Sequence, residues 1–425
     1  MKRVKKELQS ETKFIAVWLR FFCLFVSISL CAGCSLLGGD FKYEPQELPH
    51  KISPEAMALI DKAYEGIDPS KLRDYHVHIA GLNPKKTGTF VNEDWQSPLH
   101  LTSYITFQVY KSASGIKDEE HADSQYLDRL KSLIQYAPQK GKYGILAFDY
   151  FHDENGQPDL SLTTFRVPND YLLGIANSNR NIFFPVISIH PYREDGARDL
   201  EHYAKKGVKF VKWLPNSMGI NPSSEEMKEK LQAYYRVMKK YDMTLISHTG
   251  DEVATEAEET QHFGNPLLLK MPLDMGVKVI MSHMASLGKC KKVESSLCPP
   301  GTPYIDLAIE MMKEKYENTL FADIAALTQY NRQHNLDKVL SEKSIHSRLV
   351  NGSDYPLPAV NIVIRTRSLV KSGHITASER KLLNEIYDFN PLLFDFVLKR
   401  TLRHSKTGQK FPDSIFMENK DLLTE

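Results

Sequence analysis

The sequence has few cysteines, no excess of one charge sign, no low-complexity tract, and no internal repeat beyond an alternation of strand and helix patterns. Residues 34–425 carry 48 Lys and Arg against 51 Asp and Glu. This near-neutral, mixed-charge composition gives no electrostatic footprint for a nucleic acid. These 392 residues suffice for one large core, so a single globular domain is the simplest organisation.

The N-terminal segment differs sharply from the rest of the chain. Residues 1–20 contain six Lys and Arg against two Glu, and residues 21–39 contain no charged residue. A basic stretch followed by a short apolar one is typical of a secretory signal. Leu30-Cys-Ala-Gly-Cys34 resembles a bacterial lipoprotein cleavage site, with 1–33 removed and Cys34 bearing lipid. Ser35 resembles the sorting residue for the outer membrane, so we expect a lipid-anchored envelope protein facing the periplasm. The alternative is an uncleaved anchor, because 19 uncharged residues approach a membrane-spanning length.

The remaining cysteines lie close together. Only five cysteines are present, and all but Cys290 and Cys298 fall within the N-terminal segment. In an oxidising compartment two cysteines so near each other in one loop are expected to form a disulfide. Zinc binding is the alternative, although the pair lacks the four-ligand spacing of structural zinc sites.

A His-x-His pair ends the first predicted strand. Side chains alternate along a strand, so Asp74, His76 and His78 share one face, opposite Tyr75 and Val77. Two imidazoles about 7 Å apart along a strand can close on one divalent ion. In isolation, such a pair is as often a pair of hydrogen-bonded scaffold histidines.

Similar residues follow other short aliphatic runs, namely Lys212, His248, His283 and Asp354. Helical patterns separate these runs, which indicates an α/β architecture with a parallel sheet. Eight predicted strands match a (β/α)₈ TIM barrel, in which the carboxyl ends of the strands converge on one mouth. The strands end near His78, Phe148, Ile189, Lys212, His248, His283, Asp323 and Asp354.

The predicted organisation is a single domain with long mouth loops. We expect a tether at 34–70 that includes a short helix at 54–64, the barrel at 71–402, and a peripheral polar tail at 403–425. The long connection at 81–139 follows a mouth-facing strand end and is a candidate lid.

The ordered residues carry a family resemblance over about residues 71–400. Asp74-x-His76-x-His78, the histidines on strands five and six, and Gly352-Ser-Asp-Tyr-Pro356 resemble the amidohydrolase superfamily. The Ser-Asp-Tyr-Pro motif and the later Asn390-Pro391 pair resemble motifs of its amidohydrolase-related branch. That branch includes hydrolases and some metal-dependent decarboxylases.

The resemblance implies a site with one or two divalent ions, zinc being the expected metal. His76, His78 and Asp354 would be ligands of one ion, and His248 and His283 further ligands, with His283 alternatively a catalytic acid or base. Lys212 would be a bridging carbamate in members with two metals. The alternative is an ordinary ammonium that binds an anionic substrate or pairs with Asp354.

Other residues near the predicted mouth are candidates for substrate binding or support. Trp213 beside Lys212, and Arg193 beyond strand three, are the expected substrate-binding residues, Arg193 as a clamp for a carboxylate or phosphate. A solvated loop arginine is the simpler alternative for Arg193. His152, His190 and Asp323 are weaker candidates.

These expectations favour a metal-dependent hydrolase that cleaves an amide, ester, lactone or phosphoester of a small molecule. Asp354 would accept a proton from water and pass it to the leaving group. A metal-dependent decarboxylase of a small carboxylate and a non-catalytic ligand-binding lipoprotein are the alternatives. The sequence leaves the substrate and the oligomeric state open.

The lipid anchor generates the first testable prediction. Cys34→Ser should leave the N-terminal segment uncleaved and remove the lipid, because the cysteine thiol is the lipid acceptor. Intact-mass analysis of the membrane fraction measures both changes, with Cys23→Ser, which lies outside the cleavage motif, as the matched control. Cleavage at another position, or an unmodified Cys34 in the parent, would contradict the prediction.

Overall fold

The structure is a computed structural model that describes residues 42–255 and 257–422. The predicted signal segment and Cys34 lie outside the described residues. Within the described ranges, no helix combines the length and apolar character that crossing a bilayer requires.

Eight parallel strands form the barrel, in sequence order around the sheet. Hydrogen bonds also join the first strand to the segment after the last: Tyr75 N–H donates to the Asn351 carbonyl at 2.9 Å, and Asp354 N–H to the His76 carbonyl at 2.8 Å. The (β/α)₈ TIM barrel expected from the sequence is therefore confirmed. The strands are β1 (Arg73–His78), β2 (Lys142–Leu146), β3 (Phe183–Ile187), β4 (Phe210–Trp213), β5 (Thr244–His248), β6 (Lys278–Ser282), β7 (Leu320–Asp323) and β8 (Leu349–Val350).

Helices alternate with the strands and cover the barrel. The helix after β4 spans Lys228–Lys240 and buries its apolar face, including Tyr234 and Tyr235, against the sheet. Two short antiparallel strands, Phe90–Val91 and Phe165–Arg166, pair above the barrel mouth. The α-helices of ten or more residues are Pro54–Tyr64, Leu101–Ala113, Ala122–Gln135, Asn169–Ser178, Gly196–Lys205, Lys228–Lys240, Tyr304–Glu314, Ala377–Phe389 and Pro391–Thr401. The shorter ones are Leu48–Lys51, Glu93–Gln96, Pro215–Met218, Lys270–Asp274, Leu336–Ser341 and Thr366–Lys371.

The predicted N-terminal helix spans Pro54–Tyr64, and it packs onto the barrel domain. Ser53 caps it by accepting a hydrogen bond from the Ala56 amide at 3.2 Å. Ala56 and Ile60 are fully buried, and the helix packs against the last two helices of the barrel. From residue 42 onward this segment is therefore part of the folded domain and not a free tether.

The C-terminal segment is not peripheral, so that expectation is wrong. Phe411, Ile415, Phe416 and Leu422 are buried in the main core. The Ile415 carbonyl also accepts a hydrogen bond from the Asn351 amide at 2.8 Å, just beyond β8. Most residues of 403–425 are polar, so the composition of the segment suggested an exposed tail. Its few, widely spaced apolar residues nevertheless pack into the core beside the barrel.

We expect Phe416→Ala to lower the free energy of unfolding by about 3–5 kcal/mol, because it removes a fully buried aromatic side chain. Phe416 stacks edge-on against Phe396, with ring centroids 5.6 Å apart. Urea denaturation followed by circular dichroism measures the loss. Leu99→Ala is the control, because Leu99 is 92% exposed. Equal stability of the two variants would show that the segment does not pack as described.

Candidate metal centre

The His-x-His pair and the aspartate after β8 meet at the carboxyl end of the barrel. Asp354 Oδ1 lies 3.0 Å from His78 Nε2 and 3.4 Å from His76 Nε2. These three groups can approach one ion together. Strand alternation puts both imidazoles on the inner face of β1, and closure of the barrel brings Asp354 beside them.

His248 and His283 complete a group of four imidazoles. The His283 ring centroid lies 4.9 Å from that of His76 and 5.0 Å from that of His248. The two residues come from the ends of β5 and β6, as their positions after aliphatic runs predicted. The structure therefore brings together all four predicted histidines.

Three of the imidazoles are oriented through Nδ1. His76 Nδ1 lies 2.9 Å from Asp323 Oδ2, and His283 Nδ1 lies 3.3 Å from the Ala325 carbonyl. His248 Nδ1 lies 3.4 Å from Glu252 Oε2. A proton held on Nδ1 leaves the Nε2 lone pair free, which is how metal-binding histidines are usually oriented.

Lys212 lies inside the barrel beside His76. Its Nζ is 3.3 Å from His76 Nε2 and donates a hydrogen bond to Ser282 Oγ at 3.0 Å. Burial lowers the pKa of this amine to about 8. The Lys212 side chain therefore points into the barrel. Its conversion to a carbamate remains a prediction.

The electrostatics favour neutral imidazoles beside an ionised aspartate. Burial is the main effect that holds the pKa values of His76, His248 and His283 well below the usual histidine range. Burial opposes ionisation of Asp354, but the hydrogen bond with His78 and nearby positive charge outweigh it and lower the pKa of that carboxyl. Neutral imidazole and carboxylate are the protonation states that a metal ligand needs.

The donor set fits a divalent ion. His248 Nε2 is buried and has no hydrogen-bond partner among the described residues. An orphaned imidazole nitrogen is costly unless it acquires a partner such as a metal. Imidazole and carboxylate donors suit zinc, and also other first-row divalent ions. His76, His78, His248, His283 and Asp354 are therefore the residues that would hold the ion.

The site forms the floor of a cavity of about 180 Å³. The candidate lid at 81–139 supplies much of its wall, including Phe107 and Ile116. Tyr126, also in this connection, donates a hydrogen bond to the His78 carbonyl at 2.7 Å. This connection therefore covers the centre and is anchored directly to β1.

The predicted disulfide between Cys290 and Cys298 is present in the loop after β6. Both cysteines are buried. Lys291 in this loop pairs with Asp251 in the loop after β5, with an Nζ–Oδ1 distance of 3.2 Å. The bridged loop thus contacts the neighbouring loop of the mouth.

Both predicted substrate-binding residues lie outside the cavity, so these two predictions are wrong. The Arg193 guanidinium is 2.9 Å from Asp195 and 3.1 Å from Asp149, and it also pairs with Asp199. Trp213 has the opposite strand parity to Lys212. It is fully buried between β4 and the helix Lys228–Lys240, and its indole N–H donates to the Ile189 carbonyl at 3.1 Å.

Several residues of the site carry little or no signal in the sequence. Asp323 was only a weak candidate, although its position at the end of β7 could have been given equal weight. Glu252, Gln329 and Arg332 lie on mouth loops with no recognisable motif. Gln329 Nε2 is 3.4 Å from Asp354 Oδ2, and Arg332 lines the cavity beside the histidines.

Comparisons with known proteins found similarity only among solved structures. No family model and no curated protein matches the chain. An uncharacterised TIM-barrel protein from Bordetella bronchiseptica is 14% identical, with a TM-score of 0.45, over 74% of this chain and 99% of the other. A proposed amidohydrolase from Staphylococcus aureus is 11% identical, with a TM-score of 0.38, over 67% and 88%.

A third solved structure is the 5-carboxyvanillate decarboxylase from Novosphingobium aromaticivorans, with bound manganese and 3-methoxy-4-hydroxy-5-nitrobenzoic acid. It is 12% identical, with a TM-score of 0.42, over 83% of this chain and 97% of the other. All three solved structures are 11–14% identical to this chain, with TM-scores below 0.5. None of them assigns a reaction to this chain.

The geometry predicts that His76→Ala combined with His78→Ala lowers metal affinity by more than about 100-fold, since loss of ligands exceeds the effect of losing their supporting contacts. The barrel should stay folded, because the pair lies at the mouth and not in the packed layers. Elemental analysis and far-ultraviolet circular dichroism measure the two properties. His100→Ala with His121→Ala is the control on the surface. Unchanged metal content would remove the pair from the ligand set.

Proposed function

We propose that this protein is a metal-dependent hydrolase of small molecules, with the chemistry of the amidohydrolase superfamily. The observation that carries the proposal is the convergence of four imidazoles and Asp354 at one end of the barrel. Independent structural roles for five such residues at equivalent strand ends would be an improbable coincidence. A non-catalytic binding protein would have no need of the whole set.

The chemistry of the proposed reaction starts from the bound ion. Bound here, a divalent ion would polarise a carbonyl or phosphoryl oxygen and lower the pKa of a water ligand. Asp354 is the candidate base, since its carboxyl has a lowered pKa and lies beside His76 and His78. It would accept a proton from the attacking water at a carboxylate oxygen and deliver it to the leaving group.

Two other features of the site support hydrolysis of a small substrate. The lid covers the floor of the cavity, which limits access of bulk water and strengthens electrostatic interactions within. His283, whose imidazole has a pKa lowered by burial, would hold a second ion or stabilise developing negative charge on the substrate.

Lys212 decides between one and two metals. The lowered pKa of its buried amine increases the neutral form, which is the form that reacts with carbon dioxide to give a carbamate. A carbamate would bridge two ions, so metal analysis should then return two equivalents. One equivalent with an unmodified amine would indicate the mononuclear form.

Metal-dependent decarboxylation is the second candidate. It is favoured by the hydrogen bond from the Lys212 amine to Ser282 Oγ at 3.0 Å, which holds an unmodified lysine in place without a second metal. One ion would then hold a substrate carboxylate, and His283 or Asp354 would deliver a proton to carbon. A panel of esters, amides, lactones, phosphoesters and aromatic carboxylates, tested with zinc- and manganese-loaded protein, separates the two reactions.

The location outside the cytoplasm belongs to the same proposal. The N-terminal charge pattern and Cys34 support a lipid anchor, and the Cys290–Cys298 bridge suits an oxidising compartment. The expected arrangement is a membrane-tethered enzyme with a small-molecule substrate.

Asp354→Asn should lower turnover of the identified substrate by about 10²–10⁴-fold, the usual contribution of a positioned base. The amide keeps the shape of the side chain but cannot accept the proton. Initial rates with metal-loaded protein measure the effect, and metal content is checked in parallel. Asp170→Asn is the matched control, because Asp170 lies outside the cavity and accepts a hydrogen bond from Tyr203. Near-parental turnover in Asp354→Asn would leave His283 as the proton carrier.

A further inference from the structure

Arg332 is a buried cation on the wall of the cavity. Its side chain is 3% exposed. Nη1 donates to Ser286 Oγ at 3.2 Å, and Nη2 lies 3.4 Å from the Asp251 carbonyl. Ser286 and Asp251 each follow one of the cavity histidines by three residues, so Arg332 crosses the side of the site formed by His283 and His248.

The guanidinium has no ion-pair partner among the described residues. Its two hydrogen bonds go to neutral oxygens, and its buried Nε has no partner. A guanidinium has five N–H donors, so most of its donor capacity is unused. The carboxylates of Glu252, Asp354 and Asp323 favour its charge from a distance without contacting it.

Arg193, an arginine with a structural role, provides a comparison for Arg332. That guanidinium is held by three carboxylates, those of Asp149, Asp195 and Asp199. Burying a charge without a directly bonded counter-ion is costly, and a bound anion would remove that cost. The contrast between the two arginines therefore points to an absent anion beside Arg332.

The rest of the cavity is suited to an apolar group. Aromatic and aliphatic side chains of the lid and of the small antiparallel sheet surround the space above the histidines. They include Phe90, Trp95, Phe107, Tyr110, Ile116 and Phe165. A ligand that fills this space would combine an apolar body with an anionic group near Arg332.

We propose that Arg332 binds a carboxylate of the substrate, so that the site takes small carboxylic acids with an apolar body. The inference rests on the proposed function only for the reacting end of that substrate. Its two hydrogen bonds leave three of the five guanidinium N–H groups without a partner in the described part of the chain, and a planar guanidinium can donate two parallel hydrogen bonds to the two oxygens of a carboxylate. A monoanion suits the site better than a phosphate dianion, because repulsion from the surrounding carboxylates grows with the charge of the ligand.

Isothermal titration calorimetry with metal-free protein tests the assignment, since chelation of the metal removes direct carboxylate–metal binding. The probes are 3-phenylpropanoate, its primary amide and 2-phenylethyl phosphate. The parent should bind the carboxylate at least about 10-fold more tightly than the amide, which is the effect of a hydrogen bond to a charged group. Arg332→Gln should weaken carboxylate binding by about 10–100-fold and leave amide binding unchanged.

Two further variants complete the design. Arg193→Gln is the matched control, and it should keep the preference of the parent for the carboxylate. Arg332→Lys keeps the charge but loses the planar fork, so it should lose most of the preference, and it decides the matter if Arg332→Gln does not fold. Circular dichroism verifies the fold of each variant.

Three results would overturn the inference. They are equal affinity of the parent for carboxylate and amide, an unchanged preference in the folded Arg332 variants, and tighter binding of the phosphate than of the carboxylate. The metal-free assay separates this outcome from the proposed function. A protein that binds no metal but prefers the carboxylate loses only the hydrolase proposal, whereas a metal-loaded enzyme without the preference loses only the role of Arg332.

Discussion

The carboxylate of Asp323 is the group on which the arrangement of the centre depends. Its Oδ2 lies 2.9 Å from His76 Nδ1. Its Oδ1 accepts hydrogen bonds from the backbone N–H groups of His283 and Ala325, at 2.7 and 3.1 Å. One fully buried side chain at the end of β7 thereby orients a ring on β1 and fixes the backbone that carries a ring beyond β6. Burial raises the pKa of this carboxyl, and the hydrogen bonds from the two backbone N–H groups oppose that rise by stabilising the ionised form.

The burial that positions these groups also sets their chemistry. Taken out of water, the imidazoles of His76, His248 and His283 favour their neutral form, and the Lys212 amine has a lowered pKa. Asp354 remains ionised because positive charge and a hydrogen bond outweigh its own burial. Neutral imidazoles, the ionised Asp354 carboxylate and the Lys212 amine can therefore lie a few ångströms apart. The imidazoles are in the form that binds a metal ion, and the carboxylate is in the form that accepts a proton.

The surrounding fold supports the site from below and covers it from above. The C-terminal segment and the Pro54–Tyr64 helix add buried apolar residues to the core of the barrel, so both ends of the described chain support the domain. On the opposite side, the 81–139 connection covers the mouth and is hydrogen bonded to the His78 carbonyl through Tyr126. The cavity is consequently polar at its floor and apolar above it, a division that suits an amphiphilic small molecule.

The sequence by itself determined the barrel and the four histidines, Lys212 and Asp354 of its mouth, because strand alternation and the convergence of carboxyl strand ends are local, periodic rules. It also determined the disulfide, whose cysteines are near neighbours in one loop. Only the tertiary structure decided the contacts of Arg193, Trp213, Asp323 and Arg332. Whether an arginine is neutralised by nearby carboxylates or left with free donors, and whether an aspartate meets a histidine more than two hundred residues away, depends on contacts that no local pattern encodes. The buried C-terminal segment is a further case, since the burial of isolated apolar residues in a polar stretch depends on tertiary contacts with the rest of the core.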